Sequence, residues 1–332
     1  MSLLRQTISH IITQGMFSQV GQAFLILLCT AFISASAALA TSMPAQPSTG
    51  PGSIDYAHSQ VTRSSHGAGA LHYYIYEPDL PRPDNAPLIV FLHGWGGTDP
   101  GIYDAWIQHI VKRGNIVVFP TYQTMVTGSV QYTSNSIQAV VDSLKTLNSE
   151  GHVEPDLSRF AVVGHSCGGI LAANMAALAE TAGLPVPKAV MSVEPGISSS
   201  FKLEDLSTIP SNTLLLSLVG DRDGVVGASD AKNIFWNTSQ IPFDNKDFII
   251  MVSDSHGSPS LHADHFAPCC SHSNETDPLD YYCLWKLFDA LTDAAFYGEN
   301  REYALGNTPQ QRYMGEWSDG TPVRELVVTD NP

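Results

Sequence analysis

The sequence predicts an α/β domain built on a mostly parallel sheet with helices on both faces. Two observations carry this. Short apolar runs alternate with helical patterns from residue 87 to about residue 296, which is the signature of βαβ units. One of those runs, Pro87–Leu92 (PLIVFL), is apolar throughout, as is typical of a parallel strand covered on both faces.

Taken in order, residues 41–53 (TSMPAQPSTGPGS) are small, rich in Pro and Gly and without period, so 41–55 reads as a flexible linker. Leu71–Tyr76 is an early strand and Pro87–Leu92 a buried one. A helix over Tyr103–Arg113 leads to the strand Asn115–Phe119, and a helix over Ser134–Leu147 leads to the strand Arg159–Val163. An Ala/Leu helix follows at Gly169–Ala182. The strands Ala189–Val193, Thr213–Val219 and Asp247–Val252 come next, with a helix near Ala228–Trp236 between the last two. An amphipathic helix at Leu279–Phe296 closes the pattern. No repeat and no second composition regime appears, so one domain is expected over 56–297. Residues 298–332 read as an irregular surface extension. The stretch between Pro195 and Asn212 is too short for a large cap domain.

Composition narrows the function. With 16 Lys+Arg against 32 Asp+Glu the formal charge is −16, and such a surface repels a nucleic-acid backbone. Charged residues are 14 % of the chain, too few for a coiled coil or a charge-rich disordered protein. Ala23–Ala40 holds no charge and ends in Ala38-Leu39-Ala40, so residues 1–40 are expected to be a cleaved signal peptide, with Thr41 the first mature residue. The alternative is an uncleaved anchor, since 18 residues are near the minimum for a span. Cleavage implies a secreted or periplasmic protein without stable membrane insertion. It leaves Cys167, Cys269, Cys270 and Cys283, and in an oxidising compartment Cys283 is expected to pair with Cys269 or Cys270.

The chemistry is concentrated in Gly164-His165-Ser166-Cys167-Gly168, a G-x-S-x-G placed directly after an apolar strand and directly before a helix. Chemistry on a serine hydroxyl needs that setting. A tight strand-to-helix turn holds the hydroxyl out above the sheet, and the helix N-terminus favours developing negative charge. A serine needs a base, and the base an orienting acid. Such groups sit on loops after the carboxyl ends of strands. Asp223 is preferred over Asp221 because it lies further past Val219, and Glu194 is a more remote alternative. His256 is preferred as base because it follows Val252 almost at once. His265 and His262 would need the loop to fold back. Backbone amides of Trp95, in His93-Gly-Trp-Gly-Gly97, and of Cys167 are the expected oxyanion donors.

Weaker patterns read more simply as structure. His262, Asp264, His265, Cys269, Cys270 and His272 could form a metal cluster, but a loop shaping the mouth of the site is the simpler account. Asp221-x-Asp223-Gly224 lacks the remaining ligands of a calcium loop. Asn237-Thr-Ser and Asn274-Glu-Thr are glycosylation sequons. No metal and no cofactor is expected.

These residues resemble the α/β-hydrolase superfamily over about 68–297. Within it the chain is similar to the secreted dienelactone-hydrolase-like, cutinase and polyester-hydrolase branch, with some similarity to chlorophyllases. Gly220-Asp-Arg-Asp223 and Lys246–His256 resemble the acid and base loops of polyester hydrolases. The resemblance implies an α/β-hydrolase fold and a serine hydrolase of carboxylic esters; a thioesterase, lactonase or peptidase on the same triad is the alternative, and a non-catalytic binding protein on this fold the remotest. The short Pro195–Asn212 connection implies an open cleft that admits bulky or polymeric esters, and a monomer is expected. The resemblance favours Asp223 and His256. The HADHFAPCC segment, the long tail and the cysteine after Ser166 depart from that branch, so the substrate does not carry over.

Overall fold

The computed structural model describes residues 41–196, 202–269 and 276–332. The proposed signal segment 1–40, Cys270, His272 and the Asn274 sequon lie outside the described residues. Residues 42–332 form one compact unit. Its sheet has nine strands: β1 (Gln60–His66), β2 (Tyr73–Asp79), β3 (Asn85–Leu92), β4 (Ile116–Pro120), β5 (Glu154–His165), β6 (Ala189–Val193), β7 (Leu214–Gly220), β8 (Lys246–Met251) and β9 (Val327–Thr329). Their order is β1-β2-β4-β3-β5-β6-β7-β8-β9. The pairs from β4 through β8 are parallel, while β1, β2 and β9 add antiparallel edges.

Alternation along the strands divides the core into two layers. Ile89, Phe91, Val117, Phe119, Ala161 and Val163 face helices α1 (Asp104–Lys112) and α5 (Trp285–Tyr297). Leu88, Val90, Leu92, Ile116, Val118 and Val162 face α2 (Tyr132–Leu147) and α3 (Cys167–Leu178). The helix α4 (Ser229–Asn237) packs Ala231 and Phe235 on Val219 and Phe248. Helix α3 is buried along nearly all its length, which explains why its sequence reads as Ala/Leu without a polar face.

Two terminal segments differ from the sequence expectation. Residues 42–53 are not a flexible linker. The Gly52 amide donates to Asp289 Oδ2 at 2.7 Å, and the Tyr281 hydroxyl donates to the Pro44 carbonyl at 2.6 Å. Gly52 has φ +80°, and a Cβ there would collide with the Tyr281 carbonyl, so this approach needs glycine. Buried Asp289 also meets His109 Nε2 at 2.9 Å and Arg113 Nε at 3.2 Å, which ties the arm to α1 and α5.

Nor is 298–332 a surface extension. Ala304, Leu305, Met314, Trp317, Val323 and Leu326 are core residues. A short helix α6 (Pro309–Arg312) sits between Leu305 and Met314, and β9 completes the sheet. The buried Lys286 ammonium donates to the carbonyls of Gln310, Gln311 and Tyr313, clamping the segment to α5. No disulfide joins Cys269 to Cys283. Among the described residues, no helix is long and apolar enough to cross a membrane.

Trp317 is 1 % exposed and its indole N–H donates to Asp254 Oδ2 at 3.1 Å. Trp317→Ala should therefore cost about 3–5 kcal/mol of stability through the cavity it leaves. Denaturant unfolding followed by circular dichroism measures this.

Candidate active site

The serine turn is made by what is missing around it. Ser166 has φ +56° and ψ −123°, a conformation that non-glycine residues rarely adopt. A Cβ on Gly164 would strike the Gly168 carbonyl, and one on Gly168 would strike the Leu92 carbonyl. Glycines two residues either side therefore let β5 turn into α3 while both pack against β3. The Ser166 amide donates to the Val193 carbonyl at 2.9 Å, which fixes the turn to β6.

His265, not His256, meets the serine. His265 Nε2 lies 2.9 Å from Ser166 Oγ, and its Nδ1 lies 2.9 Å from Asp223 Oδ2. His256 instead faces outward, with Nε2 2.8 Å from Asp319 Oδ2 on the C-terminal segment. The physical reason is a backbone bridge. Asp254 and Leu261 exchange both amide–carbonyl bonds, at 3.0 and 2.8 Å. Residues 255–260 become a surface excursion, and the chain returns to the sheet at Leu261. Leu261, Ala263 and His265 then alternate inward, while His262 is exposed. That period of two was the available signal, and adjacency to the strand end outweighed it. Asp254 is itself held by Trp317 and by the Arg324 amide, residues of the C-terminal segment.

Asp223 accepts the amides of Val225 and Val226 on Oδ1, at 2.8 and 3.0 Å, leaving Oδ2 for His265. Burial pushes its pKa up, but the two amides and His265 outweigh burial and hold it below the usual value. Asp221 is spent on Ser253, accepting its amide and hydroxyl at 3.0 and 2.5 Å. Glu194, at φ +45° after β6, is fully buried with neither carboxylate oxygen hydrogen-bonded. Burial first, and then Asp223, push its pKa up to about 9. Glu194 is thus neutral at pH 7 while Asp223 is charged.

The His93–Gly97 loop runs beside the serine. A Cβ on Gly94 would lie 3.2 Å from Ser166 Cβ. His93 is buried and stacks on Tyr122 at 4.2 Å, and the Tyr122 hydroxyl donates to the His93 carbonyl at 2.6 Å. Trp95 is 72 % exposed and borders two open cavities that reach Ser166, of about 590 and 660 Å³. A further cavity of about 650 Å³ continues past Trp95 to Met125 and Tyr74. Cys167, at the start of α3, is fully buried and its thiol is pushed up to about 12 by burial, so it is no thiolate nucleophile.

Of the residues weighed as a metal cluster, the described His262 and His265 do not converge. His262 points to Arg222, with Nδ1 3.0 Å from the guanidinium, while His265 is held by Ser166 and Asp223. Among the described residues, His165, Glu194 and His265 do bring ligand atoms within 4.8 Å of one another. Both rings there already have hydrogen-bond partners at both nitrogens.

A family described as Chlorophyllase, whose members are α/β-hydrolase-fold esterases, matches residues 51–206. The chain has an α/β-hydrolase fold. Two fungal non-reducing polyketide synthases are also similar to part of it. Preu6 of Preussia isomera is 27 % identical over 130 residues, 37 % of this chain. The synthase ascC of Acremonium egyptiacum is 25 % identical over 126 residues, 36 % of this chain. In both cases the chain spans about 6 % of the relative's length.

Glu194 generates a stability prediction with a definite sign. Its pKa is raised in the folded state, so folding binds a proton that the unfolded chain releases above the ordinary carboxylate range. Stability is fully present below the unfolded pKa of about 4.5 and is lost as pH rises towards 9. Glu194→Gln, which cannot ionise, should leave stability near parental at pH 4.5 and raise it at pH 8, by about 4–5 kcal/mol at most. Melting curves across that range check it.

Proposed function

We propose that the protein is a serine hydrolase of carboxylic esters. The observation that carries the reading is the unbroken contact Ser166–His265–Asp223, with a serine hydroxyl on a strained turn and a carboxylate whose other oxygen is occupied by two amides. Ser166 attacks the acyl carbon. His265 takes its proton and returns it to the leaving alcohol, and Asp223 stabilises the ring when charged. The amides of Trp95 and Cys167 bind the oxyanion. Water then attacks the acyl-enzyme, with His265 again as base. The similarity to chlorophyllases supports ester chemistry in general.

The apolar groups around the mouth favour large substrates. Trp95, Met125, Val126, Val130, Val225 and Phe266 are all exposed, and Trp95, Met125, Val225 and Phe266 border the open cavities. We read this rim as the seat of bulky or polymeric esters, which would lie across the cleft rather than inside a closed pocket. The uncharged stretch Ala23–Ala40 supports export of such an enzyme, acting outside the cytoplasm.

Hydrolysis of p-nitrophenyl esters with acyl chains from two to sixteen carbons tests the reading. Ser166→Ala and His265→Ala should each lower kcat by about 10⁴-fold or more. His256→Ala should stay within about two-fold of the parent, because a ring 38 % exposed and paired to Asp319 leaves the chemistry untouched. Loss of turnover in His256→Ala with retention in His265→Ala would reverse the assignment. Activity confined to the shortest acyl chains would remove the bulky-ester reading.

A further inference from the structure

One chain of hydrogen bonds behind the triad is not used by the chemistry just described. The Gly94 amide lies 2.9 Å from the Tyr103 hydroxyl, which lies 2.9 Å from His165 Nδ1. His165 Nε2 lies 2.8 Å from the backbone carbonyl of His265. Tyr103 and His165 are 1 % and 2 % exposed, so no solvent competes for these bonds.

Donor and acceptor roles follow by elimination. The His265 carbonyl can only accept, so His165 Nε2 carries the hydrogen. In a neutral ring Nδ1 must then accept, and the Tyr103 hydroxyl has one hydrogen to give. That hydroxyl is left with a lone pair for the Gly94 N–H. Each bond of the chain then has one donor and one acceptor, all running in one direction, with the Cys269 thiol beside it at 4.0 Å from Nδ1.

The groups facing His165 agree with a neutral ring. Glu194 Oε2 lies 3.6 Å from Nε2 and Cys269 Sγ lies 4.0 Å from Nδ1, and His265 packs its ring at 4.8 Å. Glu194 is protonated at pH 7, and the Tyr103 hydroxyl is raised well above its ordinary value by burial and by Cys269. Burial lowers His165 to about 4, against the upward pull of the His265 carbonyl and Asp223.

The chain joins three segments that are distant in sequence. Gly94 belongs to the loop assigned the oxyanion donor, His165 to the serine turn, and His265 to the long return after β8. We propose that His165 and Tyr103 are positioning residues, which hold the oxyanion loop and the base loop in register with Ser166 through this directed chain. The proposal rests on the reading of Ser166 and His265 as nucleophile and base. Neither residue touches substrate. A shift of even 1 Å at a reacting group costs about 10²-fold, so the alignment of loops distant in sequence is a catalytic quantity.

Three variants and one spectrum decide it. Tyr103→Phe removes the hydroxyl and keeps the ring that packs on Phe91 at 5.1 Å. His165→Leu removes the donor, and His165→Gln restores an N–H near the Nε2 position. On p-nitrophenyl esters, Tyr103→Phe and His165→Leu should lower kcat about 10- to 100-fold with KM within about two-fold of the parent, and His165→Gln should recover kcat to within about five-fold. Equal losses in His165→Leu and His165→Gln, a loss in KM alone, or parental kcat in His165→Leu would each overturn the proposal.

Nitrogen NMR of the histidine rings in the parent needs no substrate. It should show His165 as the neutral Nε2–H tautomer from pH 5 to 8. An Nδ1–H tautomer, or protonation within that window, would overturn the chain itself. Absence of Ser166-dependent turnover in the parent would sink the ester reading instead, and the spectrum would still decide the hydrogen-bond chain.

Discussion

The constraint on which the site depends is the turn at Ser166. A residue with φ near +56° between strand and helix is costly, on the order of 1–3 kcal/mol, and it persists only where its surroundings over-determine it. Here they do. Gly164 and Gly168 permit backbone contacts that any side chain would block, and the Ser166 amide is bonded to β6. Helix α3 is buried on every side, so the turn cannot relax by moving the helix. The hydroxyl is thereby fixed to the most rigid layer of the protein.

Everything that meets the hydroxyl comes from loops, and each loop is tied down by a different device. Asp223 follows β7 and is oriented by two amides of its own turn. His265 follows β8, but only after the Asp254–Leu261 bridge has turned the chain back. That bridge depends on the C-terminal segment, because Trp317 and the Arg324 amide occupy Asp254 Oδ2. Residues far along the chain from the serine therefore set where the base stands. An extension with no chemistry of its own is part of how the site is built.

This explains what was legible in the sequence. Strands such as Ala189–Val193 announce themselves because both faces are buried, and the G-x-S-x-G turn is legible because its glycines answer a local steric demand. Asp223 could be read because its loop is short. His265 could not be chosen by distance along the chain, since its position is decided by a bridge closing over six intervening residues and by a partner segment more than fifty residues away. The arm at 42–53 misled for a related reason. Pro and Gly there serve close packing on Tyr281 and Asp289, and composition alone does not separate that from flexibility.

Two carboxyl groups near His265 show how environment divides roles among like residues. Asp223 is fully covered by protein yet stays ionised, because two amides and the imidazole supply the bonds that water would have given. Glu194 is equally covered, and burial outweighs the Gly220 amide and His265, so its neutral form is favoured, and the nearby Asp223 charge deepens that preference. With both ionised, two negative groups would act on the imidazole, which is held by Asp223 and Ser166. With only Asp223 charged, the field at His265 has one direction, from the carboxylate through Nδ1 to the serine. A pair of acids pushed apart in pKa thus fixes which one orients the base. Near Glu194 only the Gly220 amide approaches, and it does not offset burial, whereas the two amides at Asp223 do.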